Sequence, residues 1–201
     1  VVGWTGEGAN DMSGLPVGTQ TFCDIEFDIV DPAANGRRAV LGIASGSKYK
    51  SAETVDIGAR AESIYLLHAC NGRGQVGEFN VHYEDGASET QYVNSGKQID
   101  SWFMPAPDVK VGGRFTRPLD LHLAWWGANR KFENVGVFVY GWNNPHPDKT
   151  ITRIEFVAAQ TNVPWFICGL TRCDAPVYFA MPGLASSHGI PDNWGAAAVL
   201  Y

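Results

Sequence analysis

Tryptophan and asparagine recur together in segments of this sequence that are rich in glycine and proline, a composition that predicts loops. A tryptophan ring can stack on the apolar C–H face of a sugar, and an amide can hydrogen-bond the surrounding hydroxyl groups. The chain has seven Trp among 201 residues, more than most cores of this size require. The candidate residues in predicted loops are Trp4, Asn10, Asp11, Trp102, Trp142, Asn143 and Asn144. They predict a carbohydrate-binding surface at one end of the fold.

Each of these loop residues also has a structural interpretation. Trp4 and Trp102 could close the end of a hydrophobic core. Asn10 and Asp11 could cap a turn, because short polar side chains readily hydrogen-bond nearby backbone groups. The run 142–145 could equally form a structural corner, since it contains two asparagines followed by a proline.

A second group of candidates lies on predicted strands, where alternate side chains share a face. Asn80 and His82 lie opposite the apolar face of their strand, and His122 and Trp126 do the same on another strand. His68 is a weaker member, because its own face is mainly apolar. If these strands are neighbours, the five residues form the floor of a binding groove. Each histidine could instead be half-buried with its own partners, and a shared metal ion is a further alternative, although no H-x-H or H-E-x-x-H motif is present.

Groups suited to polysaccharide cleavage are sparse. Glycoside hydrolysis generally needs two carboxylates that face one cleft; Glu78 and Glu84 share a predicted strand, but Glu84 adjoins a turn and is expected to be solvated. A lyase base beside a cation could be built from His82, Tyr83 and Arg153, but nothing in the spacing selects them. No G-x-S-x-G or Cys-His signature appears. We therefore expect a protein that is not an enzyme, with a polysaccharide-degrading jelly roll as an alternative.

The four cysteines match no zinc-binding spacing, because no C-x-x-C pair is present. Cys168 and Cys173 are close enough in sequence to form a disulfide across a tight turn. Cys23 and Cys70 lie in apolar, strand-like runs and could be buried thiols.

Composition narrows the class of partner. Apolar residues make up 45% of the chain and charged residues 18%, which is typical of a globular protein. The net charge is −6 and no basic run is visible, so nucleic acid and anionic membranes are disfavoured and a neutral partner fits better. No apolar stretch is long enough for a membrane-spanning helix, so no membrane insertion is expected. No signal peptide is present, so we expect a mature protein or an excised module.

Short runs of alternating or continuous apolar residues, separated by turn signals, predict the elements that must position these side chains. No window has a helical period. The sequence predicts an all-β, antiparallel β-sandwich over residues 1–173, followed by an irregular extension or linker over residues 174–201. The predicted strands are 22–29, 39–44, 62–70, 78–83, 90–93, 119–126, 134–142, 151–159 and 164–171.

Four segments in order carry a resemblance to a known family: GWTGEGANDMSGLPVGTQTFCDIEFDIVDPAANGR, ESIYLLHA, YEDGASETQYVNSGKQIDSWF and WNNPHPDKTITRIEF. Together they span roughly residues 3–171. The chain resembles β-sandwich modules found beside glycoside hydrolases and polysaccharide lyases in secreted bacterial enzymes. It is similar to the galactose-binding-domain-like and NPCBM-like carbohydrate-binding sandwiches. Cys23 and Cys70 depart from that pattern, where small residues would be usual.

The resemblance implies a jelly roll with a glycan site on loops at one end or on a sheet face. It also implies extracellular work, a polysaccharide or glycan partner, in some cases a neighbouring catalytic module, and often a structural calcium ion. The densest group of oxygen ligands near a turn is Asp28, Asp31 and Asn35, although these residues could also form a solvated acidic loop. No cofactor is required. A structural or adhesive module that mediates protein–protein assembly is the remaining alternative, because exposed aromatic residues also serve protein interfaces.

Overall fold

The structure is a computed structural model that describes residues 8–46, 49–105, 110–111, 114–115 and 117–179. Its regular elements are β-strands, and these described residues contain no helix. The strands are β1 (Gly18–Phe22), β2 (Ile25–Ile29), β3 (Leu41–Ile43), β4 (Ala52–Ala59), β5 (Ser63–Cys70), β6 (Gln75–Tyr83), β7 (Ser88–Asn94), β8 (Lys110–Val111), β9 (Arg114–Phe115), β10 (Leu121–Gly127), β11 (Val135–Asn143), β12 (Ile151–Ala158) and β13 (Trp165–Cys173). Every pairing between them is antiparallel. The expectation of an all-β, antiparallel fold is confirmed.

Two sheets pack face to face as a β-sandwich. The first has five strands in the order β10-β11-β5-β13-β3, and the second has four in the order β4-β12-β6-β7. Aromatic rings meet between the sheets. Phe79 contacts Trp142 edge to face with 5.7 Å between ring centroids, and Phe156 contacts Trp165 at 5.5 Å. The inward side chains of both sheets therefore share one hydrophobic core.

The outer face of the five-stranded sheet is covered as well. The β1–β2 hairpin lies over β13, where Thr171 Oγ1 donates a hydrogen bond to the carbonyl of Glu26 at 2.5 Å. Residues 174–179, which we predicted to begin an irregular extension, cross β5 and β11, and Ser63 Oγ donates to the carbonyl of Ala175 at 2.7 Å. Because both faces of β5 and β11 are covered, both strands are buried almost throughout and most of their residues are apolar.

Two strands differ from the sequence-based prediction. The run predicted as one strand over 22–29 is the second half of the β1–β2 hairpin. Its two-residue turn consists of Cys23 and Asp24, with φ angles of 51° and 62°. Two consecutive positive φ angles are typical of a type I′ turn, which hairpins of this length prefer. The edge strand β4 was not predicted, because its sequence AETVDIGA mixes polar and small residues on both faces.

The disulfide that the sequence left possible between Cys168 and Cys173 is not formed. Both residues lie on the single strand β13, so about five residue steps, or ~16 Å, separate them, whereas a disulfide requires Cα atoms within about 7 Å. All four cysteines are free thiols. Burial raises the pKa of Cys70 to about 12, which keeps this thiol protonated and unreactive near neutral pH.

The turn after β11 is a structural corner built around the buried side chain of Asn144. Its Nδ2 donates to the carbonyls of Ala61 at 2.8 Å and His146 at 3.1 Å. Its Oδ1 accepts from the hydroxyl of Tyr83 at 2.6 Å and from the backbone N–H of His146 at 3.0 Å. One amide thus joins the second sheet to the loop that connects β11 and β12.

We expect Asn144→Ala to lower the free energy of unfolding by about 2 kcal/mol, because it leaves buried donors and acceptors unpaired. Urea denaturation followed by tryptophan fluorescence measures this change. Asn143→Ala is the matched control, since that exposed neighbour accepts a single hydrogen bond, from the backbone N–H of Val177 at 2.7 Å. Equal losses in the two variants would show that the corner network contributes little.

Candidate functional site

At one end of the sandwich, residues 101–103 run between the end of β5 and the start of β11. The backbone N–H of Trp102 donates to the carbonyl of Cys70 at 3.0 Å, and the N–H of Gly136 donates to the carbonyl of Trp102 at 2.9 Å. Phe103 then pairs with Val135 in an antiparallel bridge. These bonds hold Phe103 at the rim of the sheet, where its neighbours are loops.

An open pocket of about 600 Å³ lies beside this segment. We call it the end cleft. Three loops and the segment 101–103 contribute its lining, which consists of Asn10, Asn71, Gly72, Arg73, Ser101, Trp102, Phe103 and Phe132. Amide, hydroxyl, guanidinium and aromatic groups therefore meet at one surface.

The aromatic wall of the end cleft consists of rings that pack against one another. Phe103 and Phe132 pack edge to face with 4.5 Å between ring centroids, and Trp102 packs against Phe103 at 6.1 Å. Trp102 is only 1% exposed, whereas Phe103 is 38% exposed. Phe103 thus presents its ring to solvent above a buried indole.

Asparagine side chains hold the polar side of the cleft. Asn71 Oδ1 accepts the indole N–H of Trp102 at 3.2 Å. The Nδ2 donor of the same amide therefore points away from that indole. Asn129 Nδ2 donates to Asn10 Oδ1 at 3.1 Å, and Asn129 Oδ1 accepts the backbone N–H of Phe132 at 2.8 Å. One side chain therefore ties the N-terminal loop to the loop that carries Phe132.

The lining of the end cleft carries groups that can bind a ligand. Its lining residues include one charged group, Arg73, and neither a carboxylate nor a histidine among the residues that the structure describes. General acid–base catalysis needs such a titratable group within hydrogen-bond reach of the substrate. A solvent-facing ring beside amide and guanidinium donors suits a ligand that has both apolar faces and polar edges.

A larger open pocket of about 740 Å³ lies near β3 and β4, at the other edge of the sandwich. We call it the side groove. Much of its surface is aliphatic, with contributions from Val40, Leu41, Val55 and Leu170, and the phenyl ring of Phe156 is fully buried. This aliphatic lining suits an apolar group better than a hydroxylated one, but the groove is also lined by the polar side chains of Asp28, Asn35, Arg38, Tyr49, Lys50 and Glu53. The end cleft is the better candidate for a ligand with apolar faces and polar edges, because it combines the exposed ring of Phe103 with amide donors.

The loop candidates predicted from the sequence do not share one end of the fold. Trp102 and Asn10 line the end cleft, and Trp4 lies outside the described residues. Trp142 pairs with Ile64 of β5, six residues before Cys70, so it lies about 20 Å away at ~3.3 Å per residue. The prediction of a single loop-end surface is therefore wrong for Trp142 and for Asn143, which follows it.

Asp11, the remaining loop candidate, acts as a turn cap. Its Oδ1 accepts the backbone N–H of Ser13 at 3.1 Å and the Ser13 hydroxyl at 2.7 Å. Its carbonyl accepts Asn129 Nδ2 at 3.0 Å. These bonds hold the loop beside Asn10, so Asp11 supports the end cleft without lining it.

The predicted groove on a sheet face does not exist, because its members lie on different surfaces. His68 is buried between the sheets, where its Nε2 bonds the carbonyl of Gln98 at 2.9 Å. His122 faces the outer layer, where the ring of Phe179 packs against it in a tilted arrangement with 4.4 Å between ring centroids. Asn80 and His82 lie on the open face of the four-stranded sheet. These three histidines therefore cannot share a metal ion.

A β-bulge moves Trp126 away from His122. The register shifts between Leu123 and Trp125, so Trp126 pairs with Gly136 while His122 pairs with Val139. Positions 136 and 139 are three residues apart on β11, so they face opposite sides of the sheet. The side chains of Trp126 and His122, which pair with them, therefore lie on opposite faces. Trp126 is 47% exposed, and its indole N–H donates to Asn134 Oδ1 at 2.9 Å.

The lyase-type combination of His82, Tyr83 and Arg153 considered from the sequence is not assembled. Tyr83 points into the core, where burial raises its pKa to about 12, with further contributions from Glu89 and Asp85. His82 and Arg153 lie on the opposite, open face of the same sheet. A lyase site that combines a base with a cation would need these three side chains on the same face of the sheet.

The proposed calcium ligands make local hydrogen bonds. Asp31 Oδ1 accepts the backbone N–H of Ala33 at 2.8 Å, and Asn35 Nδ2 donates to the carbonyl of Arg38 at 3.1 Å. Asp28 lines the side groove. Within the described part of the chain, no group of three or more His, Cys, Asp or Glu side chains is arranged to hold a metal ion.

The sequence analysis missed six lining residues of the end cleft: Asn71, Gly72, Arg73, Ser101, Phe103 and Phe132. Two signals could have identified some of them. Arg73 lies between Gly72 and Gly74 in a predicted connection, where glycines let the backbone bend sharply. Phe103 directly follows Trp102, which was itself a candidate.

Comparison with known proteins adds no identification: no protein-family model matches this chain, and no curated protein matches its sequence. In the part of the chain that the structure describes, no helix has the length and apolar character needed to cross a membrane.

Proposed function

We propose that this chain is a non-catalytic carbohydrate-binding module whose glycan ligand occupies the end cleft. One observation carries the proposal: the solvent-facing ring of Phe103 stands beside unused amide and guanidinium donors in an open pocket. Within the class of antiparallel β-sandwiches, we propose that the fold is a jelly roll of the galactose-binding-domain-like type. The resemblance of the sequence over residues 3–171 supports that assignment.

The binding mode follows from the chemistry of the lining. The C–H face of a sugar ring stacks on Phe103, as sugars do on exposed aromatic rings. Hydroxyl oxygens on the rim of that sugar accept hydrogen bonds from Asn71 Nδ2 and from Arg73. Because Phe132 and Trp102 already hold Phe103 in place, little conformational entropy is lost on binding.

We expect Phe103→Ala to weaken glycan binding by roughly tenfold to a hundredfold, since it removes about 1.5–3 kcal/mol of apolar burial. Affinity electrophoresis on a panel of plant and algal polysaccharides finds the ligand, and isothermal titration calorimetry measures the change. Tyr92→Ala is the matched control, because Tyr92 is 56% exposed on the open face of the four-stranded sheet. Loss of binding in Tyr92→Ala with retention in Phe103→Ala would place the site on that face.

An assembly module is the second candidate function. Phe103, Met104, Trp126 and Tyr178 are large apolar residues with substantial exposure, and such residues also serve protein interfaces. Sedimentation velocity over a range of concentrations tests this alternative. Self-association without binding to any glycan would favour assembly and contradict the carbohydrate-binding proposal. Release of reducing ends from a polysaccharide would instead make the protein an enzyme.

We further propose that the module works outside the cell, beside a catalytic module, and that it accepts a structural calcium ion without requiring a cofactor. The sequence resemblance supports these points. Differential scanning calorimetry with calcium and with a chelator tests the ion: an unchanged melting temperature would contradict calcium binding.

A further inference from the structure

The charged residue of the end cleft is a cation in an acidic protein. The chain has a formal net charge of −6, with 15 Lys and Arg residues against 21 Asp and Glu residues. Arg73 nevertheless lines the cleft beside Asn71 and Phe103, and no described carboxylate lines it. The local charge of the cleft is therefore opposite to the charge of the whole chain.

The backbone around Arg73 is tied on both sides. The N–H of Asn71 donates to the carbonyl of Pro164 at 2.9 Å, and the carbonyl of Gly74 accepts the N–H of Ser95 at 2.9 Å. Gly72 and Gly74 have positive φ angles of 152° and 92°, which glycine adopts more readily than other residues. The loop therefore presents Arg73 from a fixed position.

The Arg73 guanidinium has no hydrogen-bond or ion-pair partner among the described residues. Asp100, next to the lining residue Ser101, is already engaged. Its carboxylate pairs with Arg117 at 3.3 Å and accepts the N–H of Ser101 at 2.8 Å. The donors of Arg73 therefore remain available to a ligand.

We propose that the end cleft selects glycans with an anionic group, either a sugar carboxylate or a sulfate ester, and that Arg73 recognises this group. The inference rests on the proposed function of the cleft. A planar guanidinium forms two parallel hydrogen bonds with a carboxylate or a sulfate, and a lysine cannot reproduce this geometry. A neutral sugar occupies the same cleft but has no anionic group to pair with the Arg73 guanidinium.

The test compares length-matched oligosaccharides in isothermal titration calorimetry: a neutral one, an oligogalacturonate and a sulfated carrageenan oligosaccharide. We expect wild-type protein to bind at least one charged probe about tenfold more tightly than the neutral probe, because hydrogen bonds between charged groups are the stronger ones. Arg73→Gln should abolish this preference and weaken neutral binding only slightly, because glutamine can still donate a hydrogen bond to a sugar hydroxyl, and Arg73→Lys should retain only part of the preference. Preference for the carboxylated or the sulfated probe identifies the group.

Arg153→Gln is the matched control, because Arg153 is also an exposed arginine but lies on the open face of the four-stranded sheet. It should keep the wild-type preference. Equal or tighter binding of the neutral probe, or a preference that survives Arg73→Gln, would overturn the inference while leaving carbohydrate binding in place. Absence of binding to every probe and polysaccharide would instead remove the proposed function itself.

Discussion

Replacing Trp165 with alanine is expected to lower the free energy of unfolding by about 3–5 kcal/mol, the usual cost of removing a large buried aromatic side chain. Trp165 is fully buried and packs edge to face on Phe156 at 5.5 Å. Its ring also lies over Gly77, where an added Cβ would come within 3.1 Å of the indole. In addition, its N–H donates to His68 Nδ1 at 3.1 Å. The variant would thus leave both a cavity and an unpaired buried nitrogen.

Chemical denaturation of Trp165→Ala measures this loss. Trp126→Ala is the control, because that indole is half exposed and its removal should cost about 1 kcal/mol or less. Trp165→Phe separates the two contributions, since it retains an aromatic ring and removes the hydrogen-bond donor. Similar losses for Trp165→Ala and Trp126→Ala would contradict the assignment of Trp165 to the centre of the core.

Acidification is expected to destabilise the protein through His68. Its Nε2–H donates to the carbonyl of Gln98 at 2.9 Å, and its Nδ1 accepts the indole N–H of Trp165. A proton on Nδ1 would face that N–H donor directly. Burial lowers the pKa of His68 from the ordinary 6.5 to about 3, although the bond to Gln98 opposes this shift.

The sign of the effect follows from proton uptake. The unfolded chain binds a proton at this histidine below about pH 6.5, whereas the folded protein binds it only near pH 3. Stability is therefore present above pH 6.5 and is lost as the pH falls toward 3. Between pH 7.5 and pH 4, His68 alone should reduce the free energy of unfolding by about 3 kcal/mol.

Urea denaturation across this pH range, for wild type and His68→Gln, tests the expectation. Glutamine can donate to Gln98 and accept from Trp165, but it does not titrate. Because carboxylate contributions are common to both proteins, the difference between their pH profiles reports His68. Parallel profiles would contradict the prediction. As a second measurement, NMR of the imidazole nitrogens should show the neutral Nε2–H tautomer at pH 5.

Strand positions were largely predictable because alternation of side chains is a local property. β6 and β12 follow directly from their alternating apolar residues, and β5 and β11 from their continuous apolar runs. β4 was missed because edge position permits polar and small residues on both faces. The β1–β2 turn was missed because Cys23-Asp24 is not among the Asn-Gly and Asp-Gly pairs that usually signal a type I′ turn.

The candidate site was less predictable because it depends on which strand ends meet. Trp102 and Trp142 both adjoin predicted loops in the sequence, yet the path of β5 places them at opposite ends of the sandwich. Parity along β10 predicts that His122 and Trp126 share a face, but a bulge after Leu123 separates them. A bulge adds one residue to one strand and reverses the orientation of every later side chain.

The sequence by itself determined an all-β, antiparallel sandwich, because hydrophobic periodicity and turn residues act over a few neighbouring positions. Only the tertiary structure decided which aromatic and amide residues reach a common surface. Asn10, Asn71, Arg73, Phe103 and Phe132 come from four separate segments of the chain, and antiparallel pairing brings them to one end. Such pairing is set by burial of whole sheet faces, so no local pattern encodes the position of the end cleft.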